Sequence, residues 1–160
     1  MPERKARVVI IFSLALLILQ TKEPLAAADQ VLKVPFECAS NRNSILLKVR
    51  INDKPALLIL DTGSAHTVLQ PALLGISPSE LEPTHLSGSG GGFVGDALGQ
   101  EVSFQLGSWK WQKRKVAVMD LSEVLSSYKE RIDGVLGLDF FKEFRSMAIN
   151  FKEKTITFVR

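Results

Sequence analysis

The chain contains few of the residues that build metal and thiol sites, with one cysteine and two histidines among its 160 residues. The lone Cys38 cannot form a disulfide within the chain, and we expect it to be buried. Cys38, His66 and His85 do not show the spacing of metal ligands, so neither a metal nor another cofactor is expected. Both histidines are expected to face the solvent. No serine occupies a G-x-S-x-G motif, which excludes the nucleophile elbow of the α/β hydrolases.

The chain also lacks a strong excess of charge once its first segment is set aside. Residues 1–28 hold four basic and two acidic residues, and the remainder has 16 Lys plus Arg against 15 Asp plus Glu. Basic residues cluster once, and the members are Lys110, Lys113, Arg114 and Lys115. Apolar alternation at residues 109–111 and 116–118 favours a hairpin with a solvated turn at this cluster. No nucleic-acid partner is therefore expected, because such binding needs an extended basic face.

The N-terminal segment predicts an export signal. Arg4, Lys5 and Arg7 precede an apolar run at residues 8–19 that only Ser13 interrupts, and three alanines at 26–28 offer a small-residue cleavage site. The run has about 12 residues, whereas a membrane-spanning helix needs about 20. We expect cleavage after Ala28 and a mature domain of residues 29–160 that is periplasmic or secreted. A retained anchor is the alternative, and contact with a membrane is expected only in that case.

The rest of the chain has the pattern of a mainly β domain. Apolar and polar residues alternate, or apolar residues run together, at residues 31–36, 45–51, 56–60, 102–106, 116–119 and 155–159. A turn at residues 52–54 joins two of these strands. Helical spacing occurs in two short stripes, one at Leu121, Val124, Leu125 and Tyr128 and one at Phe140, Phe141 and Phe144, with Asp139 as a candidate cap. No low-complexity segment is long enough for a linker, so one compact domain is expected.

The candidate catalytic group is the carboxylate of Asp61, in the tetrapeptide Asp61-Thr62-Gly63-Ser64. It follows the apolar residues 57–60, so a buried strand is expected to run into a tight turn that Gly63 permits. Backbone N–H groups and the hydroxyls of Thr62 and Ser64 can hydrogen-bond the carboxylate and hold it. Metal-free hydrolysis needs one group to accept a proton and another to donate one, and two carboxylates that share a proton meet this need. The alternative interpretation is a structural turn in which Asp61 caps backbone amides.

A second feature is the glycine-rich stretch at residues 88–92. At the tip of a hairpin such a stretch forms a flexible cover that can approach a substrate backbone and exclude water. Gly90, Gly92 and Gly95 also match G-x-G-x-x-G, but strand alternation follows where a dinucleotide site needs a helix. A phosphate site is therefore disfavoured, and an ordinary mobile loop is the remaining alternative.

Three segments in order resemble those of the retropepsin-like aspartic proteases, the single-domain family of retroviral and bacterial enzymes. Residues 59–70, I-L-D-T-G-S-A-H-T-V-L-Q, are similar to the active-site segment, and residues 86–94, L-S-G-S-G-G-G-F-V, to the flap tip. Residues 133–141, D-G-V-L-G-L-D-F-F, look like the psi loop and the helix after it, and residues 147–151 like the last internal strand. The resemblance implies a closed acid-protease β-barrel with a Gly-rich flap hairpin and one or two short helices. Together with the export signal, it suggests a bacterial exported branch of the family.

The resemblance also implies that the chain is an aspartic endopeptidase and that each of these segments has a role in the active site. Asp61 would be catalytic, Thr62, Gly63 and Ser64 would support it, and Thr62 would interlock with a partner copy. The residues that would bind the peptide are Ala65, His66, Gly88, Ser89, Gly90, Gly91, Gly92 and Phe93. The psi loop would be formed by Val135, Leu136 and Gly137.

This sequence departs from the retroviral pattern at an ion pair. Retroviral enzymes carry two acidic residues just after the Asp-Thr-Gly triplet and an arginine after the psi loop, whereas this chain has Ala65, His66 and Leu138 at these places. Loss of both partners can be nearly neutral for stability, because no unpaired charge remains. Since Ala65 and His66 would border the peptide cleft, the side-chain preference of viral relatives does not carry over.

Only one Asp-Thr-Gly occurs, and the chain is too short for the two-lobed pepsin arrangement. A homodimer is therefore expected, in which two copies of Asp61 form the dyad and act on a peptide or protein. Terminal strands near residues 31–36 and 155–159 are the candidates for the interface sheet. Two other interpretations stay open: a catalytically silent peptide-binding module of the same fold at the cell envelope, and an anchoring role if the N-terminus is retained.

Overall fold

The computed structural model describes residues 29–41, 43–86 and 93–160, which are mainly strands joined by short turns. The segment expected to be an export signal lies outside the described residues. The strands are β1 (Val31–Pro35), β2 (Glu37–Cys38), β3 (Ile45–Ile51), β4 (Lys54–Leu60), β5 (Val68–Leu69), β6 (Glu82–Leu86), β7 (Phe93–Leu106), β8 (Trp109–Met119), β9 (Gly134–Leu136), β10 (Ser146–Asn150) and β11 (Thr155–Val159). The α-helices in these residues are α1 (Pro71–Leu74), α2 (Ser122–Leu125) and α3 (Leu138–Phe141), and Pro78–Glu80 forms a 3₁₀ turn.

Six strands close into a barrel. Their order is β3-β4-β9-β5-β8-β7, and a pairing between β3 and β7 completes the ring. Strand β2 extends the sheet beyond β3, and β6 pairs with β7. Within the ring each strand is paired with a neighbour on both sides, which satisfies its backbone donors and acceptors, and β2 and β6 form the two ends of the sheet. The sequence prediction of a mainly β, closed barrel with few helices is confirmed.

The β3–β4 hairpin forms where the sequence predicted it. Strand β3 alternates buried and exposed residues along its second half, and Leu47 and Ile51 are fully buried. The turn residues Asn52 and Asp53 have φ values of 47° and 61°. Asn and Asp tolerate this left-handed conformation better than other non-glycine residues, and two such residues in sequence match the twist of the flanking strands.

Three phenylalanines from different elements meet in the core. Phe104 of β7, Phe140 of α3 and Phe158 of β11 are buried, and the Phe140 ring lies 5.2 Å from that of Phe104 and 6.2 Å from that of Phe158. Burial of one such side chain stabilises a fold by about 1.5–3 kcal/mol. The contacts hold α3 against the barrel and thereby hold the psi loop, which directly precedes α3.

A separate three-stranded antiparallel sheet is formed by the two ends of the described chain. Strand β11 is central, with β1 on one side and β10 on the other. The pairing runs from Val31 opposite Val159 to Pro35 opposite Thr155. Both sides of β11 are therefore occupied within one chain, which bears on how two copies could pair.

The basic cluster does not form a solvated turn, and that part of the sequence prediction is wrong. The β7–β8 turn lies at Gly107 and Ser108, and β8 continues through the cluster as a strand. One residue lies between Val102 and Phe104 on β7, but two residues lie between their partners Arg114 and Trp111 on β8. This extra residue is a β-bulge in which Lys113 has a φ of 53°. The bulge turns Arg114 inward, where its side chain is buried.

Charge and aromatic contacts explain why an arginine is stable at this buried position. The guanidinium of Arg114 lies 4.8 Å from the centre of the Phe140 ring and 5.9 Å from that of Phe104. It also forms an ion pair with Glu143. A buried charge is tolerated when it is paired, and the flat guanidinium can stack on aromatic rings. The sequence pattern could not show these partners, because they are distant in the chain.

The helices are shorter than their apolar stripes suggested. In the first stripe, Leu121 and Leu125 are buried, but Val124 is exposed on the outer face of α2. None of the helices in residues 29–41, 43–86 and 93–160 is long and apolar enough to cross a bilayer.

Cys38 is exposed, so the expectation of burial is wrong. It lies in the two-residue strand β2, which pairs with β3. Its neighbours Phe36 and Ala39 take the buried positions, and the thiol is left on the outer side.

Candidate active site

Asp61 lies where β4 leaves the barrel. Strand β4 pairs in parallel with β9, with Leu58 opposite Gly134 and Leu60 opposite Leu136. The pairing continues one step further, since the backbone N–H of Asp61 donates to the carbonyl of Leu136 at 3.1 Å. The side chain of Asp61 is half-buried. Its backbone is thus fixed by a strand that comes more than seventy residues later.

The turn after Asp61 is hydrogen-bonded to the Asp61 carboxylate. The N–H of Gly63 donates to Asp61 Oδ1 at 2.8 Å, and the N–H of Ser64 approaches the Asp61 carbonyl at 3.3 Å. The hydroxyl of Ser64 instead donates to the carbonyl of His66 at 2.8 Å, so its predicted bond to the carboxylate is absent. Thr62 is exposed. A carboxylate held by a backbone N–H keeps its orientation, while its remaining lone pairs stay available.

Strand β9 passes between β4 and β5, and glycine makes this passage possible. It pairs with β5 in the antiparallel sense, with Val68 opposite Val135. A Cβ on Gly134 would lie 2.3 Å from the carbonyl oxygen of Val68, inside van der Waals contact. The predicted psi-loop residues Val135, Leu136 and Gly137 are therefore placed beside the Asp61 turn.

Backbone hydrogen bonds join the psi loop to the residues after the triplet. The N–H of Leu138 donates to the carbonyl of Ser64 at 2.8 Å, and that of Asp139 donates to Ala65 at 3.2 Å. A Cβ on Gly137 would lie 2.3 Å from the carbonyl oxygen of His66. The φ of Gly137 is −97°, which any residue can adopt, so this glycine is required by close approach and not by its backbone conformation.

The buried hydroxyl of Thr67 forms a further link that the sequence prediction missed. Thr67 is fully buried, donates to Asp139 Oδ1 at 2.7 Å and accepts from the N–H of Gly137 at 3.3 Å. Asp139 was expected to cap the helix, but Gly137 is the cap residue and Asp139 lies in the first turn of α3. The polar Thr67 before the buried pair Val68 and Leu69 was the available signal, because buried hydroxyls need partners.

The predicted flap falls mostly beyond what the structure describes. Gly88, Ser89, Gly90, Gly91 and Gly92 lie outside the described residues, and the side chain of Phe93 is not described. The backbones on either side do form a hairpin, in which Leu86 of β6 is paired with Phe93 of β7. The predicted strand, glycine-rich stretch and strand therefore occur in the expected order.

A match to a family model decides the family. The model described as aspartyl protease matches residues 47–140, more than half of the chain, and this span contains the Asp61 turn and the psi loop. The chain belongs to the aspartyl protease family. It is an aspartic-type hydrolase, as the resemblance implied.

Two solved structures are similar to this aspartyl protease over part of the chain. A retropepsin-like aspartic protease from Rickettsia conorii superposes with a TM-score of 0.54 at 15% identity, covering 82% of this chain and 93% of that chain. The EIAV protease in complex with the inhibitor HBY-793 superposes with a TM-score of 0.42 at 19% identity, covering 67% of this chain and 93% of that chain. The Rickettsia structure supports a retropepsin-like fold. No curated protein sequence is significantly similar to the chain.

Ala65 and His66, which follow the Asp61-Thr62-Gly63-Ser64 turn, differ in exposure in this aspartyl protease. Ala65 is half-buried, and His66 is exposed, as predicted. Leu138, which stands where retroviral relatives were described as having arginine, is half-buried. In the part of the chain that the structure describes, no three His, Cys, Asp or Glu side chains are grouped as metal ligands would be.

Proposed function

We propose that this aspartyl protease is an endopeptidase that works as a homodimer, with Asp61 from each copy forming the catalytic dyad. The observation that carries the proposal is the half-buried Asp61 carboxylate held by the Gly63 N–H. Among the described residues no second carboxylate is hydrogen-bonded to Asp61. One carboxylate cannot serve as acid and base at once, so a second copy must supply the other.

In the proposed dimer the two carboxylates share one proton. Like charges in close contact cannot both be ionised, so one Asp61 accepts a proton from water while its twin donates one to the peptide carbonyl oxygen. The two proton affinities belong to the pair and not to either copy. Thr62 is exposed beside Asp61, which suits the proposed contact with the partner copy. Gly63 and Ser64 would keep the turn closed.

The three-stranded sheet limits which strands can form the interface between two copies. The sequence favoured β1 and β11 as interface strands, but β11 is central and has no edge to offer. In the described part of the chain, the outer sides of β1 and β10 are the edges of this sheet that another copy could extend. We therefore place an interface sheet at β1 or β10.

Dilution tests the dimer. Because each active site would need two chains, we expect specific activity against a quenched fluorescent peptide to fall as the protein is diluted through its dissociation constant. Sedimentation velocity at the same concentrations should show the dimer dissociating over the same range. Constant specific activity in samples that sediment as monomers would contradict the shared site. Inhibition by a statine-type compound is the companion assay for the mechanism.

Export is a separate proposal, carried by residues 1–28. The positive segment, the apolar run and the alanines suggest that the protein is exported and that its mature form begins at Asp29. N-terminal sequencing of protein recovered from the periplasm or medium checks this expectation. A recovered chain that begins at Met1 or Pro2 would support the retained anchor instead.

A silent peptide-binding module remains the second candidate. The same barrel and turn could hold an extended peptide without cleaving it. A purified dimer that binds peptides but cleaves none between about pH 3 and 7, the range around carboxyl pKa values, would favour the module.

A further inference from the structure

A cavity of about 640 Å³ adjoins the candidate active site. His66 and Thr67, at the end of the segment that begins with Asp61, line one side of it. Strands β7 and β8, Asp139 of α3 and Glu143 after α3 line the rest. A substrate that lies along Ala65 and His66 could thus place a side chain in this cavity, away from the bond that is cut.

The acidic side chains of the cavity already have partners. Asp139 Oδ1 accepts bonds from Thr67 and from the N–H of Phe140. Glu143 accepts from Trp111 Nε1 at 2.7 Å and Arg160 at 3.2 Å, and it also pairs with Arg114. Both acids are therefore already engaged in hydrogen bonds within the chain, and Glu143 is also paired with two arginines.

Two lysines of the cavity lack such partners. Lys113 and Lys115 line it, are exposed, and form none of the ion pairs found among the described residues. The β8 bulge explains their placement: it turns Arg114 inward, so that the residues on both sides of it point outward. Two lysines without an ion-pair partner among the described residues therefore line the cavity, and His66 lines it as well.

We propose that this cavity is a specificity site for an acidic side chain of the peptide substrate, held by Lys113 and Lys115. The proposal rests on the proposed function and adds the class of substrate. Gly99 supports it, because it lines the cavity and a Cβ there would meet no atom within 4 Å. An exposed ion pair contributes modestly, so we expect two lysines to raise kcat/KM for an acidic peptide by about tenfold.

Peptide sets test the proposal in the full-length dimer. Each set places Glu or Gln at one position on either side of the cleaved bond, and kcat/KM is compared within each pair. We expect Glu to be preferred about tenfold at one position away from the bond, and less so at high salt. In the double variant Lys113→Gln/Lys115→Gln this ratio should fall close to one. Absence of a Glu preference at every position would overturn the proposal.

A matched variant controls for overall charge. Lys110→Gln/Lys152→Gln removes the same two charges from exposed positions that do not line the cavity, and it should keep the Glu preference. Equal loss of preference in both double variants would overturn a local role for the cavity. Gly99→Leu tests the space itself, since a side chain there should fill the cavity and reduce the preference without removing a charge.

A binding assay separates this inference from the proposed catalysis. Asp61→Asn protein is titrated with fluorescein-labelled Glu and Gln peptides, with and without the Lys113 and Lys115 changes. Tighter binding of the Glu peptide that depends on the two lysines would support the cavity proposal, even if the wild-type protein cleaves no peptide. Absence of cleavage by the wild-type protein would reject the proposed function only. Equal binding of both peptides would overturn the cavity proposal. Lysine-dependent binding of single-stranded DNA without any Glu preference would also overturn it.

Discussion

Asp61→Asn is expected to lower peptide hydrolysis by about 10²–10⁴-fold, the range for loss of a general acid or base. Asn has nearly the same shape as Asp, and its carbonyl oxygen can still accept the Gly63 N–H bond at this site. It cannot accept and return a proton, so the chemistry is lost while the turn is kept. Initial rates with a quenched peptide, together with the thermal unfolding midpoint, check both parts.

Mixed dimers make the same change diagnostic of a shared site. If wild-type and Asp61→Asn chains are mixed in equal amounts and exchange freely, roughly one quarter of all dimers contain two intact carboxylates. Activity should then fall to about that fraction, whereas independent subunits would retain about half. Asp53→Asn is the matched control, because Asp53 lies exposed in the β3–β4 turn with a φ that Asn also tolerates. Undiminished cleavage by Asp61→Asn would assign the activity to another group.

Gly137→Ala is expected to destabilise the domain by about 3 kcal/mol or more, at the upper end for an overpacked site. The added Cβ would lie 2.3 Å from the carbonyl oxygen and 2.4 Å from the carbonyl carbon of His66. Neither atom belongs to a flexible side chain, so the psi loop and the segment after Asp61 must separate. Urea unfolding should show the lower stability, and peptide cleavage should fall as well, because the same movement shifts Asp61.

Gly99→Ala is the matched control for Gly137→Ala. It adds the same methyl group on β7 at a position where the new Cβ meets nothing within 4 Å. Its free energy of unfolding should stay within about 0.5 kcal/mol of the wild-type value. If Gly137→Ala were equally harmless, the close approach of the psi loop to His66 would not hold in solution.

Much of the barrel could be predicted because the residues within each strand and turn already show its structure. Strands β3 and β7 alternate apolar and polar residues, and the Asn52-Asp53 turn has the residues that its backbone needs. The Asp61 turn was also predictable, since a carboxylate after a buried strand and before glycine has few conformations open to it. In these cases neighbours in the sequence decide the structure.

The features that the sequence did not predict depend on residues that are distant in the chain. Arg114 is buried because Glu143, Phe140 and Phe104 surround it, and these partners are distant in sequence. The link from Thr67 to Asp139 likewise depends on how β5 meets α3. Gly137 was predicted to lie in the psi loop, but the reason why it must be glycine could not be predicted. That reason is the carbonyl group of His66, which is distant in sequence and leaves no space for a Cβ.

The passage of β9 between β4 and β5 has a consequence for the order of events during synthesis. Asp61 leaves the ribosome well before residues 134–139, yet its backbone and turn are held by Leu136 and Leu138. Pairing over so long a separation closes a large loop and is slow to form. A nascent or truncated chain that ends before β9 would therefore carry Asp61 without this support. Under the proposed function, the cell that makes the protein would then be protected from premature proteolysis.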